Sequence, residues 1–394
     1  MEDILIVSNY YPPEKGAAAN RIEQLAMKLS AHNFNVSVVC PLANYPLGEI
    51  FPKYRNKFLV REMLAGITIH RLWIFPSVSK NILVRMLSVM SFSSILFFFL
   101  LFKKTPEKVV VQSPPLLLSF ISVLVLSLKG KKIILNVSDL WPLAAIELNA
   151  LQQGSFSHKI SMMMERFIYS KATIILGQSD EIINHVRKIC PRTPCELYRN
   201  YPDHQRSTTI PVQESSETIK LFYAGLLGVA QGVLEVCEKI DWQSLPLEFH
   251  VFGDGAEKNL IQSYISKNPE KRIHFHGMLE RNELLDRLQS FHVALVPLKK
   301  RIYGSVPSKI FEYGSLGMPI LYFGGGEGED IVIENDLGWV ASVGDFPELE
   351  KKLQLIAALG SEKLREMKLE VLVTAQVNFN LERQINDLIS KGVF

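Results

Sequence analysis

Residues 303–320 read Tyr-Gly-Ser-Val-Pro-Ser-Lys-Ile-Phe-Glu-Tyr-Gly-Ser-Leu-Gly-Met-Pro-Ile and carry a lysine and a glutamate at a spacing that suits an anion and its hydroxyls. The run follows an apolar strand, Val293–Pro297. Pro307 sets the entry and Ser308 is a good N-cap, so a helix is expected to start near Ser308. Free N–H groups at a helix start, with Lys309 in the first turn, are a natural seat for a diphosphate. Pro307, Ser308, Lys309 and Ile310 would form that seat. Glu312 falls four residues after Ser308, on the same face one turn deeper, where a carboxylate can hold sugar hydroxyls. Gly317 closes the helix and a strand starts at Pro319. An anion site with a hydroxyl-binding acid behind it points to a nucleotide-sugar enzyme. The other reading of Glu312 is a solvated helix glutamate.

Other loops at strand ends add candidates. The first is Ser8-Asn-Tyr-Tyr-Pro-Pro-Glu-Lys-Gly-Ala-Ala-Ala-Asn-Arg21, in which Gly16, Ala17 and the next two alanines let backbone N–H groups approach an anion before a helix from Asn20. It also reads as an ordinary tight strand–helix turn. Phe222-Tyr-Ala-Gly-Leu-Leu-Gly-Val-Ala-Gln-Gly232 follows a strand and offers Gly225 and Gln231. Phe252-Gly-Asp-Gly-Ala-Glu257 centres on Asp254, and His276-Gly-Met278 ends another strand. Strand-end turns with no ligand are the alternative for both. Asn136-Val-Ser-Asp-Leu-Trp-Pro142 puts Ser138 and Asp139 at a strand end, where Asp139 holds sugar hydroxyls, takes an acceptor proton, or caps the next helix.

The 303–320 segment resembles the donor site of retaining GT-B glycosyltransferases, the family that includes sucrose synthases and mannosyltransferases. Glu312 matches the family's second glutamate, which binds the nucleotide ribose. The first, which contacts the transferred sugar, falls on Gly304. The resemblance implies that the 222–232 turn approaches the donor diphosphate, where relatives have a basic residue and this chain has Gln231. Lys309, with Lys300 or Arg301, would then supply the charge. It implies that Gly16, Ala17, Arg21, Ser138 and Asp139 line the acceptor side. Gly225, Asp254 and the Met278 backbone would line the donor side. Where relatives carry histidine in His-Asp-Leu-Trp-Pro, this chain has Ser138. The resemblance is closest to bacterial enzymes of O-antigen, capsule or exopolysaccharide assembly, such as N-acetyl-fucosamine transferases. They use a nucleoside-diphosphate sugar and a sugar on undecaprenyl diphosphate. The implied donor is UDP-linked, with UDP-N-acetyl-fucosamine or a relative as candidate, and the implied reaction retains configuration. Two alternatives stand beside it: a non-hydrolysing sugar-nucleotide epimerase of the same fold, and an inactive glycan- or lipid-binding subunit.

Composition agrees with an α/β enzyme. A chain of 394 residues exceeds one core. The net charge of +3 is too small to argue for nucleic acid. Cys40, Cys190, Cys195 and Cys237 show no metal or redox spacing and read as reduced thiols of a cytoplasmic protein. There is no Gly-x-Gly-x-x-Gly for a dinucleotide and no Asp-x-Asp for a metal-bound donor, so neither cofactor nor metal is expected. The nine histidines show no ligand cluster; His274 and His276 read as a surface pair on one strand face.

These residues need a scaffold. Apolar runs alternate with helical patterns, giving strands Ile4–Ser8, Val36–Cys40, Ile67–Arg71, Val109–Gln112, Ile133–Asn136 and Thr173–Leu176. A second set is Ile219–Tyr223, Glu248–Phe252, Ile273–Phe275, Val293–Pro297, Ile320–Phe323 and Trp339–Ala341. Such runs imply parallel sheets covered on both faces. The expected architecture is α/β, GT-B: two Rossmann-like domains facing a cleft, with ligands at the C-terminal strand ends. An acceptor domain spans 1–200, a Pro/Ser/Thr-rich linker 201–218, and a nucleotide-sugar domain 219–375. A last helix in 376–394 crosses back to the first domain.

Ile82–Phe102 is the most apolar block and approaches the ~20 residues that span a bilayer. Arg85, Ser88 and Ser91 form a polar stripe, and Lys80, Lys103 and Lys104 flank it. A single crossing would split one sheet across the membrane, so a spanning helix is rejected. The choice lies between a sheet-covering helix and a monotopic one dipping into the headgroups, and the apolar run Phe97–Phe102 favours the second. The enzyme is expected on the cytoplasmic side, peripherally bound to the inner membrane.

Overall fold

The computed structural model describes residues 1–14, 16–79, 81–203 and 218–394, so Lys80 and most of the expected linker lie outside the described residues. The chain divides into two compact units, Met1–Asn200 with Glu382–Phe394, and Tyr201–Leu381.

The first unit opens with β1 (Asp3–Val7), α1 (Ala17–Ala31), β2 (Asn35–Pro41), β3 (Leu59–Leu64) and β4 (Ile67–Leu72). It continues through α2 (Ile82–Phe102), β5 (Lys108–Ser113), α3 (Leu116–Leu128), β6 (Lys132–Val137), α4 (Leu143–Glu147) and α5 (Phe156–Lys171). β7 (Ile174–Gly177), α6 (Asp180–Ile189) and β8 (Cys195–Leu197) complete its sheet, in the order β3-β4-β2-β1-β5-β6-β7-β8. β1 stands between β2 and β5, both parallel to it, so the winding reverses there. That reversal is where open α/β sheets bind ligands. Val/Ile-rich strands such as β5 and β6 are buried on both faces, as central parallel strands must be.

Two strands of the first sheet lie outside the sequence expectation, and one of them breaks its purely parallel pairing. β3 runs antiparallel to β4 through the turn Ala65-Gly66, whose φ values are 48° and 80°. Positive φ at both central residues is the hairpin turn that matches strand twist. Its strand half is largely exposed and lacks an apolar run. β8 is a three-residue edge strand, too short to show a pattern. α1 also starts at Ala17 rather than Asn20, because alanine is the best helix former and Gly16 already supplies the break.

The second unit runs β9 (Ile219–Leu226), α7 (Val233–Lys239), β10 (Leu247–Asp254), α8 (Lys258–Lys267), β11 (Ile273–Gly277) and α9 (Arg281–Leu288). Then come β12 (Val293–Pro297), α10 (Ser308–Ser315), β13 (Ile320–Gly324), α11 (Glu327–Glu334), β14 (Gly338–Ser342) and α12 (Phe346–Asn378). Its six-stranded sheet has the order β11-β10-β9-β12-β13-β14, with all described pairings parallel. Along β9, Leu221 and Tyr223 join one core layer and Phe222 and Ala224 the other, the two-residue alternation of a strand. The winding reverses between β9 and β12.

α13 (Leu381–Ser390) packs in the first unit. Its Glu382 pairs with Lys28 at 3.0 Å and His32 at 2.7 Å, and the Gln384 amide bridges both backbone groups of Arg199. The chain therefore rejoins the first unit at Glu382, not 376, because α12, kinked at Gly360 (φ 75°), runs on in the second unit to Asn378.

α2 leaves β4 and returns to β5 of the same sheet. Phe92, Leu96 and Leu100 are buried, as are Ser88 and Ser93. Ser91 accepts the Phe75 N–H at 2.8 Å and donates to Ser88 O at 2.7 Å. The serines of the polar stripe thus turn toward the protein, while Arg85 stays exposed. The opposite face shows Leu83, Met86, Leu87, Met90, Phe98, Leu101 and Phe102 to solvent. Among the described residues this is the helix long and apolar enough to cross a membrane by length and composition, and only 28% of its apolar window is buried.

Candidate functional site

In the second unit three turns meet at the reversal between β9 and β12. The C-terminal end of β9 carries Ala224-Gly225, and the carbonyl of Ala224 accepts from both the Lys309 ammonium and the Tyr313 hydroxyl, the latter at 2.7 Å. Lys309 and Tyr313 lie on α10, which follows β12. Gly225 (φ +154°) sits so close to Lys309 that a Cβ would collide with its side chain. The lysine Nζ is 5.3 Å from the Tyr223 ring centre and 5.6 Å from that of Tyr313. Burial pushes its pKa down, and nearby Glu312 partly restores it. A desolvated ammonium between two aromatic faces is poised for a strong anion contact.

The neighbouring turn, Gly253-Asp254-Gly255, is built against the first. A Cβ on Gly253 would strike the Gly225 carbonyl, and one on Gly255 the Leu227 backbone. Both positions have φ beyond +130°, so glycine serves conformation and space at once. Gln231 lies on a short 3-10 turn, Val229–Gln231, and its Oε1 is buried without a hydrogen-bond partner among the described residues.

At α10 the helix starts at Ser308, but the cap is Pro307, with no side-chain cap bond. Pro307 takes an extended conformation at φ −61° and ψ 120°, which leaves Ser308 as the first helical residue. Glu312 is half-buried and pairs with Arg281 of α9 at 3.3 Å, so it is not a freely solvated helix residue. Gly304 is buried at φ +84°, a conformation that a glutamate would strain.

The first unit carries a second polar network at its own reversal. Arg21 of α1 is buried; it donates to Gln178 Oε1 at 2.7 Å, Asn136 Oδ1 at 3.0 Å and Tyr198 O at 2.8 Å. Asn136 donates to Gln112 Oε1 at 2.7 Å, and Gln112 donates to Ser138 Oγ at 3.0 Å. The Ser138 hydroxyl has one proton for Ser113 O at 3.2 Å or Asp139 Oδ2 at 3.4 Å. Burial raises Asp139 to about 6, opposed by the Arg21 charge and the Ser138 hydroxyl. The Glu14 carboxylate takes N–H groups from Tyr11, Asn44 and Tyr45 at 3.3, 2.9 and 3.0 Å and holds the first loop.

Residues 220–358, most of the second unit, match the family model "Glycosyl transferases group 1". The chain is 24% identical to the probable glycosyltransferase WbjE of Pseudomonas aeruginosa over 390 residues, 94% of each chain. Sucrose-phosphate synthase from Thermosynechococcus elongatus superposes with a TM-score of 0.73 at 13% identity over 99% of both chains. Anabaena HepE in complex with UDP-glucose gives 0.66 at 11% identity over 99% of this chain and 100% of its own. The fold is GT-B. The chain is a glycosyltransferase.

In this glycosyltransferase, Gly225, Lys309, Glu312 and the Ser308 amide end gather at one reversal, and Asp139, Ser138 and Arg21 at the other. Several expected residues take other parts. Ile310 is fully buried in the core, so it offers no side chain to a ligand; the inward face of α10 also carries Phe311 and Tyr313. Asp254 is spent on its own turn, accepting from Gly255 N at 2.8 Å and Lys258 at 3.3 Å. Arg21 gives its guanidinium to three internal acceptors rather than to a ligand. Arg301 is exposed beside the Gly325-Gly326 backbone, Met278 is exposed after β11, and Gly16 and Ala17 open α1 at the surface. The sequence reading missed Arg281, Tyr223, Tyr313, Gln112 and Gln178. Gln112 left a signal, a polar residue ending a run of three valines in a buried strand.

The histidines also differ from expectation. β10 places His250 between His276 and Glu248, at 2.8 and 3.2 Å, with His274 alongside. Sequence spacing hid this because the partners lie on two strands.

Proposed function

We propose that the enzyme moves a sugar from a UDP-linked donor, with retention at the anomeric carbon, to a sugar carried on undecaprenyl diphosphate. The product would be a repeat unit of O-antigen, capsule or exopolysaccharide, made at the cytoplasmic face of the inner membrane. The observation that carries the reading is the desolvated Lys309 ammonium beneath the Gly225 turn, beside the α10 amide end. That group and the free N–H groups of Ser308 and Lys309 favour a departing diphosphate over its ester, which lowers the barrier to transfer. Glu312, steadied by Arg281, accepts from the ribose hydroxyls.

In the first unit Asp139, near its midpoint around pH 6, is mostly ionised at neutral pH and accepts from the acceptor hydroxyl. The departing phosphate takes the hydroxyl proton. UDP-glucose bound to the fold relative HepE supports the donor class, and the likeness to the probable glycosyltransferase WbjE supports sugar transfer. The exposed apolar face of α2 suits a lipid-linked acceptor and disfavours a soluble epimerase.

Release of nucleoside diphosphate from UDP-sugars, with and without a short-chain polyprenyl-diphosphate sugar, tests this. Release that requires the acceptor is expected, and Lys309→Ala should cut it about 100-fold or more while the circular dichroism spectrum stays native. Sugar interconversion without acceptor would replace the transferase reading by an epimerase.

A further inference from the structure

β10 and β11 gather four side chains that transfer does not use. Glu248 and His250 alternate along β10 and share a face. The parallel register sets His250 opposite His274, their ring centres 4.6 Å apart. The register slips after Val251, so that Phe252 pairs with Gly277. His276 stacks parallel to His250 at 5.1 Å. His250 Nδ1 is 2.8 Å from His276 Nε2, and its Nε2 is 3.2 Å from Glu248 Oε2. Single ligand atoms of Glu248, His250 and His274 all lie within 4.8 Å of one another.

We infer that Glu248, His250 and His274 bind a divalent transition ion of the zinc class, with His276 as the outer partner that orients His250. Two ligands at 2.0–2.1 Å on a tetrahedral zinc lie about 3.3 Å apart, and the His250–Glu248 separation of 3.2 Å matches. His274 is exposed, so its ring turns onto the ion at small cost and leaves the fourth position to water. Two imidazoles and one carboxylate select zinc, cobalt or nickel over magnesium and calcium.

Proton placement is consistent with both states. Without the ion, His250 Nε2–H donates to Glu248 and His276 Nε2–H donates to His250 Nδ1. With it, His250 carries its proton on Nδ1 and donates to His276 Nε2, while His276 moves its own proton to Nδ1. Neither ring changes charge. The second arrangement is the outer hydrogen bond that metal-bound histidines make.

The ion's role is structural. β11 is the edge strand of its sheet, and the site ties it to β10. Asp254 lies four positions after His250 and Met278 four after His274, about 13 Å at strand rise, so the ion stands clear of the donor turns.

Chelator-treated full-length protein, titrated with Co2+, tests the site. One equivalent should give the visible absorption of a tetrahedral cobalt centre, and Zn2+ should bleach it and raise the melting midpoint. His274→Ala and Glu248→Gln should abolish the absorption while remaining folded by circular dichroism. His276→Phe should weaken binding about tenfold. Absence of both the absorption and the thermal rise in the native chain would overturn the site, as would unchanged cobalt binding in both ligand variants. Neither donor nor acceptor enters the assay, so the outcome does not depend on the transferase reading.

Discussion

Asp139 and Lys309 show how burial makes chemistry out of common side chains. Each is placed where its charged form is disfavoured by desolvation, Asp139 being raised to about 6 and Lys309 lowered. For Asp139 this has a sign that can be measured. The folded carboxyl binds its proton more tightly than the unfolded one, so stability falls as pH rises from about 4 to about 6 and stays lower above. The span is at most about 3 kcal/mol. Asp139→Asn removes it, so the stability of the variant relative to the native protein, from urea unfolding, should grow between pH 4 and pH 7. The same variant should lose the acid limb near pH 6 in kcat. Parallel stability curves would show that Asp139 is not buried as described. Lys309 and Glu312 were legible in sequence because a Pro-Ser-Lys step and an acid one turn on are local. Arg281 was not, since it lies 31 residues before Glu312 and meets it only in the folded second unit.

At the level of elements, α2 divides its labour between two faces. Phe92, Leu96 and Leu100 are 0% exposed, whereas Phe98, Leu101 and Phe102 are 57%, 42% and 80% exposed. The sequence reading separated a sheet-covering helix from a monotopic one; the structure gives a helix that covers its sheet and still presents an apolar face. Replacing Phe98, Leu101 and Phe102 by serine removes three side chains worth about 1.5–3 kcal/mol each on apolar burial. Sedimentation with anionic vesicles should weaken at least tenfold, with a melting midpoint within a few degrees of native. Phe92→Ser, a cavity and a buried hydroxyl, should instead lower that midpoint sharply. Vesicle binding unchanged in the triple variant would remove α2 from the membrane contact. The antiparallel β3 was missed for an elementary reason: its alternating, half-exposed pattern is that of an edge, and Ala-Gly is a weak hairpin signal.

On the scale of the whole molecule, two separate sheets each reverse once, at β1/β5 and at β9/β12, and each reversal holds a polar site. A donor that binds only the folded second unit must stabilise it by mass action. UDP at 100 times its dissociation constant contributes about 2.7 kcal/mol and should raise the unfolding midpoint of that unit by roughly 5 °C or more. A panel of nucleotides read by scanning calorimetry should rank UDP first; a flat response to all would remove the donor site from α10. The sequence alone determined the doubly wound α/β architecture, since continuous Val/Ile/Leu runs parted by helices admit little else. It also determined where α10 starts, because Pro307 and Ser308 act through neighbours on the chain. Only tertiary packing decided that Arg21 serves as an internal clamp, that Ile310 faces the core, and that Glu248 and three histidines meet across two strands. Burial and strand register are properties of what lies opposite a residue, and nothing beside it in the chain records them.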